Sequence, residues 1–95
     1  MHKLVVLYTQ PDDVEAFEAA YADHLQLVAA IPNLAETRLS RFSRALQGDG
    51  FYLMAEMLFA DKDALKAAMR SDEMAAVGMD ARQFNNLKVM MLGEE

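Results

Sequence analysis

The stretch "FYLMAEMLFA", residues 51–60, predicts a strand that is apolar on both of its faces. Alternate side chains of a strand point to opposite sides of its sheet. One side here carries Phe51, Leu53, Ala55, Met57 and Phe59, and the other carries Tyr52, Met54, Glu56 and Leu58. An antiparallel sheet with one face in water alternates apolar with polar residues instead. Both faces of this strand therefore need a cover.

The sequence on either side predicts three more strands. These are "KLVVLY" (3–8), "LAETRLSRFSRAL" (34–46) and "LKVMML" (87–92), with "QGDG" predicting a hairpin turn around residues 48–50. A helix capped by Asp12 is indicated by the apolar spacing of residues 17–31, and Pro32 ends it. A second helix begins after Asp61, with a break or a new cap at Ser71.

The resulting order is βαββαβ, which predicts a single α+β domain over residues 1–95. This is the ferredoxin-like arrangement, in which a four-stranded antiparallel sheet carries its helices on one face. Two helices shield only that face. A second copy of the chain, packed sheet against sheet as a homodimer, is the simplest cover for the other face. The alternative is a monomer whose loops and C-terminal tail cover the sheet.

Glu56 is a carboxylate within an otherwise apolar pattern, on the face away from the helices. If residues 47–50 form the hairpin loop, Arg41 lies opposite Glu56, and the two form a cross-strand ion pair. A half-buried carboxylate is also a weak candidate for a general acid or base.

Composition excludes several classes of function. The net charge of −6, with scattered Lys and Arg residues, argues against nucleic-acid binding. The absence of cysteine excludes disulfides, thiolate catalysis and Cys-based metal sites, and His2 and His24 have no metal-ligand spacing to carboxylates. The N-terminal apolar run is too short for a signal sequence or a membrane span. We therefore expect a cytoplasmic protein with no cofactor, no metal and no membrane partner.

His24 lies within the apolar stripe of the first helix, in the stretch "YADHLQLVAAIPNL". Together with "KLVVLY" and its Pro-Asp turn, "YLMAEMLFADKDALKAAMRSDEM" and the terminal "GEE", this stretch resembles the EthD family. The resemblance implies a ferredoxin-like fold that forms a dimeric α+β barrel, with two sheets around an interior cavity. The histidine-containing stretch of the family usually reads His-Leu-Pro-Leu. Here it reads "HLQL", so His24 holds the histidine position and Gln26 replaces the proline.

The resemblance also implies a function without fixing a reaction, because one fold supports many activities. We expect a small, largely apolar molecule (aromatic, quinonoid or ether-like) in the barrel cavity. The protein would act on it as a cofactor-free monooxygenase or isomerase, or as an accessory factor in catabolism. His24 is the catalytic candidate, as a proton shuttle, and the ligand-binding candidates are Tyr8, Arg41, Tyr52 and Met54. The alternative is a non-catalytic structural or ligand-binding homodimer whose barrel is filled by Met54, Met57, Met90 and Met91.

Overall fold

The strand that is apolar on both faces is one of the two central strands of the sheet. The computed structural model describes residues 1–95 and contains β1 (His2–Tyr8), α1 (Val14–Ala29), β2 (Leu34–Arg41), β3 (Leu53–Phe59), α2 (Lys62–Met69), α3 (Asp72–Ala81) and β4 (Leu87–Glu94). All strand pairs are antiparallel, in the order β2-β3-β1-β4. The predicted ferredoxin-like fold is confirmed, with the second helical segment divided in two. None of the helices combines the length and the apolarity needed to cross a membrane.

Short side chains begin all three helices by accepting hydrogen bonds from otherwise unpaired backbone N–H groups. Asp61 caps α2 as predicted, and Ser71 Oγ accepts from the Met74 N–H at 3.0 Å, which makes the expected break a new cap. The prediction for α1 was wrong by one residue. Asp13 rather than Asp12 is its cap, since Asp13 Oδ1 accepts from the backbone N–H of Ala16 at 3.1 Å.

The turn between α1 and β2 depends on Asn33. Its φ of 67° lies in the left-handed region, which asparagine tolerates better than most residues. The Asn33 side chain donates a hydrogen bond to the carbonyl of Ala64 at 3.3 Å, so the turn is also fixed to the start of α2. The "IPNL" sequence therefore ends the helix and sets the direction in which β2 leaves it.

The hairpin between β2 and β3 differs from the prediction. β2 ends at Arg41 and β3 begins at Leu53, so the connection is residues 42–52 and not 47–50. The apolar residue expected to pair across the turn, Leu46, is instead 88% exposed. A strand residue there would have no core to contact, and the surrounding glycines, serine and arginine favour an irregular loop. The register changes with the loop: Arg41 lies opposite Leu53, and Glu56 lies opposite Arg38.

The main core lies between the sheet and the helices. An aromatic cluster occupies its centre, with Tyr8 of β1 against Phe17 and Tyr21 of α1 and against Phe84. Most of these rings meet edge to face, at centroid distances from 5.4 to 6.0 Å. Phe84 lies just beyond the end of α3, so the predicted helical spacing continues in packing although the helix itself stops at Ala81.

The opposite face of the sheet is divided into a charged end and an apolar end. At the charged end Lys3 lies 2.9 Å from a Glu56 carboxylate oxygen, and Arg38 contacts Glu36 and Glu95. The apolar end carries side chains that alternate with the core residues of their strands: Val5, Leu7, Met54, Val89 and Met91. Met91 is 51% exposed. A single chain thus covers part of this face with charge and leaves the rest open.

We expect Phe59→Ala to lower the free energy of unfolding by about 3–5 kcal/mol, because it empties a fully buried site in the central strand. Phe42→Ala is the matched control, since Phe42 is 43% exposed at the start of the loop. Urea unfolding of both variants measures the difference. Equal losses for the two phenylalanines would contradict this assignment of the core.

Candidate functional site

His24 lies on the inward side of α1, at the edge of the aromatic cluster. Its side chain is almost fully buried, and its ring lies 5.5 Å from that of Tyr21 and 5.2 Å from that of Phe84. The Phe84 contact is close to perpendicular, at 87°. These neighbours leave the imidazole little freedom to rotate, because each side of the ring meets another side chain.

Asp80 of α3 fixes the orientation of that ring. His24 Nδ1 lies 2.8 Å from Asp80 Oδ2, while Asp80 Oδ1 accepts a hydrogen bond from the Gln83 side chain at 3.0 Å. A carboxylate only accepts hydrogen bonds, so Nδ1 carries the proton in this contact. The neutral ring then has its lone pair on Nε2. Histidine and carboxylate together form a dyad that presents one basic nitrogen.

His24 is one of the residues that line a cavity of about 200 Å³ between the helices and the sheet. The ring makes its hydrogen bond through Nδ1. Every side-chain nitrogen or oxygen that is completely enclosed by the protein has a hydrogen-bond partner. Nε2 has no hydrogen-bond partner in the chain, so it is not completely enclosed. The other lining residues are nearly all apolar: Leu4, Val6, Tyr8, Tyr21, Leu25, Val28, Thr37, Ala55, Met57, Met69, Met74, Val77, Gly78, Ala81, Leu87 and Met90.

Two tyrosines line the same cavity. Burial raises the pKa of Tyr21 to about 12, and burial together with the neighbouring Tyr21 raises the pKa of Tyr8 further still. Both phenols therefore stay neutral over the physiological range. A neutral phenol can donate a hydrogen bond to an oxygen of a ligand, but it does not act as a base. Of the predicted ligand-binding residues, Tyr8 is the one that the fold brings into the cavity with His24.

Arg41 and Tyr52 lie elsewhere, around Glu18 of α1. Arg41 donates to both carboxylate oxygens of Glu18, at 2.9 and 2.7 Å, and the Tyr52 hydroxyl donates to the same carboxylate. The hydrogen bonds from Arg41 hold the pKa of the Glu18 carboxyl below its usual range. This exposed cluster connects the start of the hairpin loop to α1 and does not line the cavity.

Glu56 and Met54 lie on the opposite face of the sheet from His24. The predicted ion pair between Arg41 and Glu56 is wrong, because the longer loop shifts the register and Lys3 is the partner of Glu56. The methionines proposed to fill the barrel are likewise divided. Met57 and Met90 line the helix-side cavity, whereas Met54 and Met91 lie on the other face.

A larger and shallower groove, of about 510 Å³, lies between α2 and the end of β4. Lys62, Lys66 and Arg70 form much of its wall, and it does not reach His24. It is more open to solvent, and its own histidine–carboxylate contact, from His2 Nε2 to Glu94 Oε2 at 3.2 Å, is exposed, with 73% of the Glu94 side chain accessible. Nowhere in the chain do three or more His, Asp or Glu side chains come together in a way that would hold a metal ion.

Stability should fall as pH rises through about 10 to 12, because Tyr21 has a raised pKa in the folded chain only. Below that pH range the Tyr21 phenol is protonated in both the folded and the unfolded chain, so its contribution to stability is fully present. Within it the unfolded chain releases the proton first, so unfolding is favoured. Thermal unfolding against pH measures the effect, and Tyr21→Phe should make the fall less steep, with the buried Tyr8 giving the remainder. An equally steep fall in that variant would contradict the assignment.

Comparison with known proteins identifies both a family and related folds. The sequence model of the EthD domain matches residues 9–88. The crystal structure of an ethyl tert-butyl ether D (EthD) family protein from Bacillus halodurans is 42% identical in sequence. The match covers 100% of this chain and 98% of that one, with a TM-score of 0.90. Comparison with curated proteins finds no match.

Two more distant structures share the fold at low identity. A dimeric ferredoxin-like protein of unknown function from Thermobifida fusca is 15% identical, with coverage of 97% of this chain and 86% of that one and a TM-score of 0.68. SnoaB, a cofactor-independent oxygenase from Streptomyces nogalater, is 17% identical, with coverage of 99% and 91% and a TM-score of 0.65. These two likenesses concern the fold alone. The family model and the Bacillus relative show that this protein belongs to the EthD family.

Proposed function

We propose that the protein binds a small, largely apolar molecule in the cavity beneath its helices and removes a proton from it, with His24 as the general base. One observation carries the proposal: His24 is held by Asp80 through Nδ1, at 2.8 Å, and the His24 side chain lines an apolar cavity while its other nitrogen has no partner in the chain. A base that is oriented by a carboxylate and faces a binding space is the arrangement that general-base catalysis requires.

The dimensions and walls of the cavity support a ligand with a single ring. A dry apolar cavity of about 150 Å³ is known to bind benzene, and the cavity here measures about 200 Å³. Met57, Met74 and Met90 contribute thioethers to its wall. Thioether sulfur makes favourable contacts with aromatic rings. The substrate class is therefore a phenol, a hydroquinone or an enol of similar size.

The chemistry begins with transfer of a proton from the ligand to Nε2 of His24. Asp80 stabilises the resulting imidazolium, as the carboxylate does in a Ser-His-Asp triad. The hydroxyls of Tyr8 and Tyr21 remain neutral, and the one that does not donate to the other tyrosine can hydrogen-bond a ligand oxygen. The ligand is left as an electron-rich phenolate or enolate. Return of the proton to carbon instead of oxygen gives the keto isomer. Addition of O₂ to the same carbon gives a hydroperoxide, which loses water to leave a new carbonyl group. The cofactor-independent activity of SnoaB, on the same fold, supports the second outcome.

We expect p-nitrophenol to bind as its yellow phenolate, even at a pH where the free compound is mostly protonated, because His24 takes its proton. His24→Gln should abolish this spectral change. Asp80→Asn should weaken it, since an amide can hold Nδ1 unprotonated and place the proton on Nε2. In turnover of the true substrate, loss of the base should cost about 10²- to 10⁴-fold.

Asp72→Asn is the matched control, because Asp72 lies on the same helix and does not line the cavity. A wild-type spectrum in His24→Gln would contradict the role of the base. So would failure of one-ring phenols to bind. Native mass spectrometry of freshly purified protein identifies any molecule that occupies the cavity after expression.

We further propose that the protein acts as a homodimer through the apolar end of the sheet face. The partly exposed residues on this face have no cover within one chain, and Met91 is 51% exposed. Exposed apolar surface of this kind marks interaction sites. The dimeric state of the Thermobifida fusca protein supports the proposal.

We expect Met91→Asp to convert the protein to a monomer, because it places a charge in the apolar contact. Met79→Asp is the matched control, since Met79 is 68% exposed on α3. Light scattering at micromolar concentration measures the mass of both variants and of the wild type. A monomeric wild type would contradict the proposed dimer.

The alternative function is binding without catalysis, and one observation favours it. The hydrogen bond between His24 and Asp80 joins α1 to α3, so the dyad also holds the roof of the cavity together. In that case His24→Gln lowers stability and leaves the spectrum of bound p-nitrophenol unchanged. The spectrum of p-nitrophenol bound to His24→Gln therefore distinguishes catalysis from binding alone.

A further inference from the structure

Gly78 occupies the interior of α3, where glycine is unfavourable for a helix. Its backbone does not need glycine, because Gly48 is the glycine with positive φ. Its surroundings do not need glycine either, since a Cβ built there would meet no atom within 4 Å. Neither turn geometry nor close packing explains the residue.

The position of Gly78 on the helix suggests another reason. Met74, Gly78 and Ala81 follow one another at spacings of four and three residues, so they share one face of α3. All three line the cavity that His24 borders. Met74 is buried, whereas Gly78 is exposed to solvent as well as to the cavity. Along this face of α3, the large side chain of Met74 is followed by the absent side chain of Gly78, where the cavity meets solvent.

We propose that Gly78 is the entrance and the size-selecting position of the cavity. The inference rests on the proposed function in one respect, which is that a ligand must reach His24. That requirement has its own support: His24 is 3% exposed, it lines the cavity, and its Nε2 has no partner in the chain. A ligand reaches this nitrogen only through an opening in the walls. The missing side chain at Gly78 provides one.

The arrangement defines the ligand more closely. The cavity of about 200 Å³ holds one ring, with its ionisable hydroxyl at His24. A substituent on the far side of the ring has no room inside and lies in the gap beside Gly78. The preferred ligands are therefore single-ring phenols or enols, and their tails are limited by the side chain at residue 78.

Gly78→Leu tests the entrance, with benzene as the probe. Benzene has no proton to give, so its entry depends on the cavity and not on the chemistry of His24. Methionines labelled with ¹³C at the methyl group report its arrival through the shifts of Met57, Met74 and Met90, which line the cavity. In the wild type these signals should move on titration. In Gly78→Leu we expect affinity or entry rate to fall by about tenfold or more.

Two further variants complete the test. Ala76→Leu adds a similar side chain to an exposed position of the same helix outside the cavity lining, and it should bind benzene as the wild type does. Gly78→Ala should raise Tm by about 4–8 °C through better helix propensity. It should reduce entry less than leucine does. Circular dichroism confirms that each variant folds.

The outcomes separate this inference from the proposed function. Benzene entry unchanged by Gly78→Leu, or no entry into the wild type, overturns the role of Gly78. Benzene entry blocked by leucine, together with a p-nitrophenol spectrum that His24→Gln does not alter, supports the entrance while rejecting the base. An equal loss in Ala76→Leu also overturns the inference, because the effect would then belong to the helix as a whole.

Discussion

The structure depends on the burial of one strand from both sides. Leu53 and Phe59 of β3 point to the helices and Leu58 points away from them, yet all three are 0% exposed. Burying apolar side chains of this size is the largest favourable contribution that a short segment can make to folding. The helices must therefore lie across one face, and the charged groups around Lys3 and Glu56 cover part of the other. The remaining apolar surface is what the proposed dimer would bury.

The cavity follows from how the helices cover that strand. α1 and α3 lie side by side over the sheet and meet through His24 and Asp80. Large aromatic side chains fill the space at one end, around Tyr8 and Phe17. Toward Gly78 and Ala81 the side chains are small, so a cavity remains between the helices and the sheet. One polar contact between the helices and small side chains below it together leave the cavity open.

The strand and helix order could be predicted from the sequence because it rests on local patterns. Each of these patterns involves only a few neighbouring residues: the strand pattern of residues 51–60, the caps at Asp61 and Ser71, and the end of the helix at Pro32. The partner of Glu56 could not be predicted, because the register depends on a loop length that no local signal determines, and the predicted pair with Arg41 was wrong. The partner of His24 is 56 residues away in the chain, at Asp80, and only the packing of α1 on α3 brings the two together. The expected continuation of the second helix would have placed Asp80 one turn after Val77, beside the apolar stripe, but nothing local paired it with His24.

The hydrogen bond between His24 and Asp80 would become stronger when the neutral ring accepts a proton. Even with a neutral ring this hydrogen bond is made to a charged carboxylate, and bonds of that kind contribute about 1.5–3 kcal/mol. In the proposed proton transfer the imidazole would become a cation beside the Asp80 carboxylate, and the hydrogen bond between the two helices would shorten and strengthen. The roof of the cavity would then be held most firmly while the reactive anion lies beneath it, and it would loosen when the proton is returned. The same hydrogen bond would then take part in proton transfer and determine how firmly α1 and α3 are held together.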